Sequence, residues 1–205
     1  MKITHTLKTF LSFSVLVVLT DFLFPFDAAA HLVTTGMGPV YDGIGHLLLT
    51  PEDLVPVIAV ALLAGLRGKI PGRRALFFLP VAWLAGGFAG LMASSEPIVA
   101  MPALSFLILG GLIAADLHLP DNVTTLLVTA VGIMHGFYNG TAMAGGPGVS
   151  GLLGIAAILF TLVAIVSAFV VSLQAAWTRV VVRVTGSWIA AVGLLMLGWL
   201  VKGSG

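Results

Sequence analysis

Five histidines and eight carboxylates are scattered through 205 residues that are 59% hydrophobic and only 8% charged, so each polar side chain kept in such a chain needs a reason. Two groups have types and spacings suited to chemistry. The first is Gly45-His46-Leu47-Leu48-Leu49-Thr50-Pro51-Glu52-Asp53-Leu54, with Asp42 just ahead of it. An imidazole beside several carboxylates can catch a divalent cation, since imidazole suits nickel, copper and zinc while carboxylate suits harder ions. The second is His135-Gly136-Phe137-Tyr138-Asn139-Gly140. On a helix His135 and Asn139 stand at i and i+4 with Tyr138 at i+3, so one face carries all three.

The elements that must position these groups are membrane helices. A mean hydropathy of +1.15 over the whole chain is too apolar for a water-soluble domain of this length. Twenty-five glycines fit a helix bundle in lipid, where small residues let backbones approach closely. The absence of cysteine excludes disulfides, thiolate metal sites and a cysteine nucleophile. A net charge of +1, with cations in two short clusters, excludes a nucleic-acid footprint. No Walker-type glycine loop occurs, so an ATPase is not expected.

Lys2 and Lys8, the apolar run 10–19 and the small residues before His31 read as a secretory leader cleaved after Ala30. Cleavage would free the α-amine of His31 next to its imidazole, a pair able to chelate a metal. Residues 31–205 then form one membrane domain with six apolar segments near 47–66, 75–93, 98–117, 123–143, 151–178 and 184–201. Each is long enough to cross about 30 Å of hydrocarbon. Arg67, Lys69, Arg73 and Arg74 fall in the first connection, and Arg179 and Arg183 in the last. The positive-inside rule places both in the cytoplasm and the mature N-terminus in the periplasm. The expected class is therefore all-α, a six-span bundle of the bacterial inner membrane. In that topology His31, Asp42, His46, Glu52 and Asp53 gather at the outer face, where they would concentrate cations.

Thr50-Pro51-Glu52-Asp53 is also a good helix start. Thr50 can cap, Pro51 fits the first helical position, and Asp53 can complete a capping box. The span it opens is short and interrupted by Pro51 and Pro56, a pattern that marks transporter binding sites. His135 and Asn139 can equally serve as interhelical hydrogen-bond partners, with Gly136 and Gly140 permitting close packing.

On these motifs the chain resembles the HupE/UreJ family of bacterial membrane proteins, regarded as nickel or cobalt permeases. Gly45 to Leu54 is similar to the family's first-span motif, Glu96-Pro97-Ile98 through Leu119-Pro120 to its third span, and Met134-His135-Gly136 to its histidine-rich fourth span. Arg183-Val184-Thr185-Gly186 fits as well. Glu52 stands where the motif has aspartate, Asp53 where it has a second histidine, and Phe137 and Asn139 where further histidines would stand. Fewer imidazoles and more oxygen donors favour harder cations or weaker, transient binding. The resemblance implies a permease whose substrate is a divalent metal ion and which holds no resident cofactor. A non-transporting membrane subunit, a homo-oligomer or a partner in metalloenzyme maturation stays open beside it. An enzyme is not expected. His135-x-x-x-Asn139 and Gly148-Val149-Ser150-Gly151 resemble pieces of rhomboid proteases, but no histidine follows Ser150 to act as its base.

Overall fold

In lipid no water satisfies backbone N–H and C=O groups, so an apolar run must close its hydrogen bonds within itself. The computed structural model describes residues 34–93 and 100–203, and these form seven helices with no strand among them. They are α1 (Pro39–Leu49), α2 (Pro51–Arg67), α3 (Lys69–Leu91), α4 (Met101–Ala115), α5 (Asp121–Met143), α6 (Gly148–Ser172) and α7 (Ala176–Gly203). The expected leader, His31 and Glu96-Pro97 lie outside the described residues.

Three helices, α3, α6 and α7, are long and apolar enough to cross a membrane singly, and α1 with α2 passes the same test as a pair bent by 77°. The bend has a local cause. The residue before a proline is pushed out of the α region, and Thr50 is extended with φ −104° and ψ 96°. Pro51 then opens α2 at a position where its missing N–H has no cost. Pro56, expected to interrupt the span as well, lies buried inside α2 without ending it. Leu47-Leu48-Leu49 accordingly closes a separate helix rather than completing the one that follows. A second boundary also differs from expectation. The apolar run drawn to residue 178 ends at Ser172, because Leu173 turns extended, and Arg179 and Arg183 lie on the opening turns of α7 instead of in a loop.

Glycines set the helix spacing. Gly86 and Gly90 of α3 face Ile133 and Phe137 of α5, while Gly132, Gly136 and Gly140 of α5 face Leu79, Trp83 and Gly87 of α3. Partner numbers rise together, so the two helices run parallel. A Cβ at Gly86, Gly136 or Gly140 would fall well inside the van der Waals contact distance of a facing carbonyl oxygen. Helices in lipid associate through such close contact, because lipid supplies no hydrophobic drive between them. Around this pair α6 packs on α1, α2 and α3, and α4 packs on α7.

One end of the bundle is basic. Asp116 caps α4 in the left-handed region, φ 51°. Its carboxylate accepts from Arg179 Nε at 2.5 Å and Nη2 at 2.9 Å, and from Arg67 Nη2. Burial alone would raise the Asp116 pKa, but hydrogen bonds and charge from Arg179 and Arg67 outweigh it and hold the carboxyl below its ordinary range. Asp116 thus ties α2, α4 and α7 together. Arg183 Nε donates to the Ala114 carbonyl at 3.0 Å and Arg74 to Asn122 Oδ1 at 2.9 Å, so the basic residues of both connections share this end.

Candidate functional site

Asp53 lies fourteen residues up α2 from Arg67, about 21 Å from the basic end at 1.5 Å per residue. It is 7% exposed. A lone buried carboxylate is costly unless hydrogen-bonded or paired, and four helices supply its surroundings. From α5, His135 Nδ1 lies 2.9 Å from Asp53 Oδ1 and Asn139 Nδ2 donates to Oδ2 at 2.8 Å. From α1, His46 Nε2 lies 3.8 Å from Oδ2. From α4, Ser105 Oγ stands 3.0 Å from His135 Nε2 and 3.1 Å from the Met101 carbonyl. From α3, the Trp83 ring stacks on His135 with centroids 5.6 Å apart and planes 25° apart. Gly136 permits that stacking, because its missing side chain lets the α3 backbone close up at Trp83.

This constellation keeps its hydrogen bonds in two protonation states. With neutral His135, Nδ1–H donates to Asp53 and the Ser105 hydroxyl donates to Nε2. With the imidazolium, Nε2–H donates to Ser105 Oγ, whose own proton turns to the Met101 carbonyl. The hydroxyl rotor makes both arrangements available. Two buried polar atoms of this cluster, Asn139 Oδ1 and Trp83 Nε1, have no hydrogen-bond partner among the described residues, and neither has Arg67 Nε at the basic end. Buried polar groups are nearly always satisfied, so the orphan Oδ1 is an acceptor left open beside the carboxylate.

Of the eight residues singled out in the sequence, the structure brings together His46, Asp53, His135 and Asn139. Glu52 is exposed and turned away from its neighbour Asp53. Asp42 accepts from the Thr35 N–H at 2.6 Å and hydroxyl at 2.7 Å, so it ties down the segment ahead of α1 instead of joining the cluster. Tyr138 is half-buried with its ring edge-on to Phe137, and no hydrogen bond links it to Asp53 among the described residues. His31 lies outside the described residues. The expected capping box does not form: Thr50 caps α2 without a side-chain hydrogen bond, and the Asp53 carboxylate turns to α5. Ser105 and Trp83 join the site without having been anticipated. A serine in an apolar run and a tryptophan in a glycine-rich one carry no spacing signal toward a histidine on another helix.

The cluster offers few uncommitted donors to a cation. Among the described residues no group of three or more histidine, aspartate or glutamate side chains is placed to hold a metal. Both His135 nitrogens are committed, to Asp53 and to Ser105. The His46 side chain makes no hydrogen bond among the described residues, and its 3.8 Å approach to Asp53 is too long for one.

Residues 17–196 match the family model described as HupE / UreJ protein. That is most of the chain, which therefore belongs to this family. The family is one of membrane transport or accessory proteins, associated with nickel and cobalt transport or with urease and hydrogenase maturation, and it is not known for enzymes. No curated relative and no solved structure matches the chain.

Proposed function

We propose that this HupE/UreJ chain is a secondary permease of the bacterial inner membrane. It would admit a divalent transition-metal cation of the nickel or cobalt class from the periplasmic side, through six spans that follow a cleaved leader. The observation that carries the reading is the His46–Asp53 gap. Two ligands each about 2.0–2.2 Å from one ion lie roughly 3–4 Å apart as their angle opens from 90° to 150°. The 3.8 Å between Nε2 and Oδ2 falls in that range. His46 and Asp53 would hold the ion, and Asn139 Oδ1 is a free carbonyl donor in the same cluster. His135 acts through Asp53, orienting the carboxylate as ligand-bound partners do. So few protein donors would leave the ion partly hydrated and weakly held, as passage requires.

One observation favours a non-transporting subunit instead. The committed nitrogens of His135 and the absence of a three-residue metal group among the described residues suit a purely structural polar knot. Nickel and cobalt uptake into proteoliposomes separates the readings. The wild type should take up metal, His46→Ala should need at least tenfold more metal for the same rate, and Glu52→Gln should stay within twofold of wild type. Wild-type vesicles no more permeable to metal than empty ones would reject the permease, as would His46→Ala transporting normally.

A further inference from the structure

On the basic end and away from Asp53, a cavity of about 390 Å³ at the α2–α3 and α6–α7 junctions adjoins one of about 340 Å³ between α3 and α6. They share Lys69 and Val171 in their walls. The helices run antiparallel here. Lys69 and Arg73 stand at the mouth opposite Val171, and Leu76 lines the deeper part with Ala164 and Ala168. Seven residues separate Lys69 from Leu76 on one wall and Val171 from Ala164 on the other, so both walls are about 10 Å deep. Small side chains keep this space open. The mouth is cationic and the depth apolar, a gradient that water-soluble ligands do not match.

The two cations are uncommitted. Arg67 and Arg179 are spent on Asp116 and Arg74 on Asn122, whereas Lys69 and Arg73 are exposed and make no hydrogen bond or ion pair among the described residues. Basic pockets between membrane helices attract anionic headgroups, and the cytoplasmic leaflet supplies them. We infer that this groove binds one anionic phospholipid, its phosphate at Lys69 and Arg73 and one acyl chain laid along Leu76, Ala164 and Ala168. Charge complementarity selects the headgroup, and the apolar depth selects a lipid over a free anion. Because the groove shares no residue with the cation cluster, its occupancy is independent of whether the protein carries metal.

Native mass spectrometry of the full chain, titrated with phosphatidylglycerol, phosphatidylcholine or inorganic phosphate, tests this. The wild type should retain one phosphatidylglycerol at least tenfold more tightly than phosphatidylcholine. Lys69→Gln/Arg73→Gln should weaken phosphatidylglycerol roughly thirtyfold, the effect expected of two basic residues at an anionic surface. Leu76→Trp, which fills the groove and leaves both charges, should weaken it as well. Arg73→Gln alone gives the charge reading should the double variant melt early, and Lys202→Gln at the far end of α7 should bind as wild type. Equal retention of both lipids, or undiminished binding by the charge variants, overturns the site. Undiminished binding by Leu76→Trp overturns the groove, and phosphate that displaces the lipid overturns the lipid as its occupant.

Discussion

Asp53→Asn separates binding from folding. In the wild type the carboxylate accepts from His135 at 2.9 Å and from Asn139 at 2.8 Å. An asparagine keeps one acceptor oxygen for His135 and turns an amide N–H₂ toward Asn139, where two donors would collide. The collision is repairable. Asn139 carries an unpartnered Oδ1, and a flip of its amide presents that oxygen to the new donor. The contact to residue 53 is then restored and the unpartnered Asn139 atom changes from Oδ1 to Nδ2, so one buried orphan remains as before and the stability cost should be about 1 kcal/mol, near the net worth of one hydrogen bond. Cation affinity has no such repair. Changes to residues that merely orient a ligand cost 10–100-fold in metal affinity, so removing the charged ligand should exceed about 100-fold, or about 2.7 kcal/mol. Calorimetric titration of nickel and cobalt into purified protein, beside thermal unfolding in the same detergent, reads both quantities. Binding within twofold of wild type at an unchanged Tm would refute the assignment of Asp53 as the ion's anchor. A collapse of Tm would refute the Asn139 repair.

The other expected outcomes follow from neighbouring contacts. Ser105→Ala deprives His135 Nε2 of its partner and should weaken metal binding about tenfold while the fold persists, measured by the same titration. Gly136→Val drives side-chain atoms into the Trp83 carbonyl and should cost about 3 kcal/mol or prevent folding. Gly111→Ala, with nothing within 4 Å, should leave detergent unfolding unchanged or slightly improved. The pKa of Asp116 is lowered in the fold, so its stabilising contribution is complete above the ordinary carboxyl range near 3.9 and is lost as pH falls through the lower folded value. The Tm difference between wild type and Asp116→Asn should therefore be constant above about pH 5 and shrink below about pH 4. It should also be large at neutral pH, because the variant leaves the 3%-exposed Arg67 side chain without its carboxylate.

The helical class and the shared face of His135 and Asn139 were legible in the sequence, because hydropathy and an i, i+4 spacing follow directly from residue types. The choice between adjacent carboxylates was not. Glu52 and Asp53 both suit a helix start, and only the direction in which α2 leaves Thr50 turns one inward and leaves the other exposed. Asp42 was grouped with them by topology, yet a neighbour seven residues earlier, Thr35, claims its carboxylate. Ser105 was illegible for a different reason. Its role depends on α4 lying beside α5 at one register, and nothing in an apolar run encodes that register. The glycines of α3 and α5 read correctly as packing residues, but which glycine faced which carbonyl needed the fold.

The bend at Thr50 is what makes His46 and Asp53 partners at all. On one unbroken helix, residues seven apart share a face but sit two turns, about 10.5 Å, apart along the axis. No histidine and aspartate side chain could then meet a single ion without leaving the helix surface. A 77° bend between them sets α1 at a steep angle to the start of α2 and leaves His46 Nε2 3.8 Å from Asp53 Oδ2. Pro51 causes the break, and the backbone around Thr50 stays bonded across it, Thr50 N–H to the His46 carbonyl and the Asp53 and Leu54 N–H groups to the Thr50 carbonyl. The spacing His46-x₆-Asp53 acquires chemical meaning only through the proline between them. The same residues without it would be two isolated polar positions on an apolar rod.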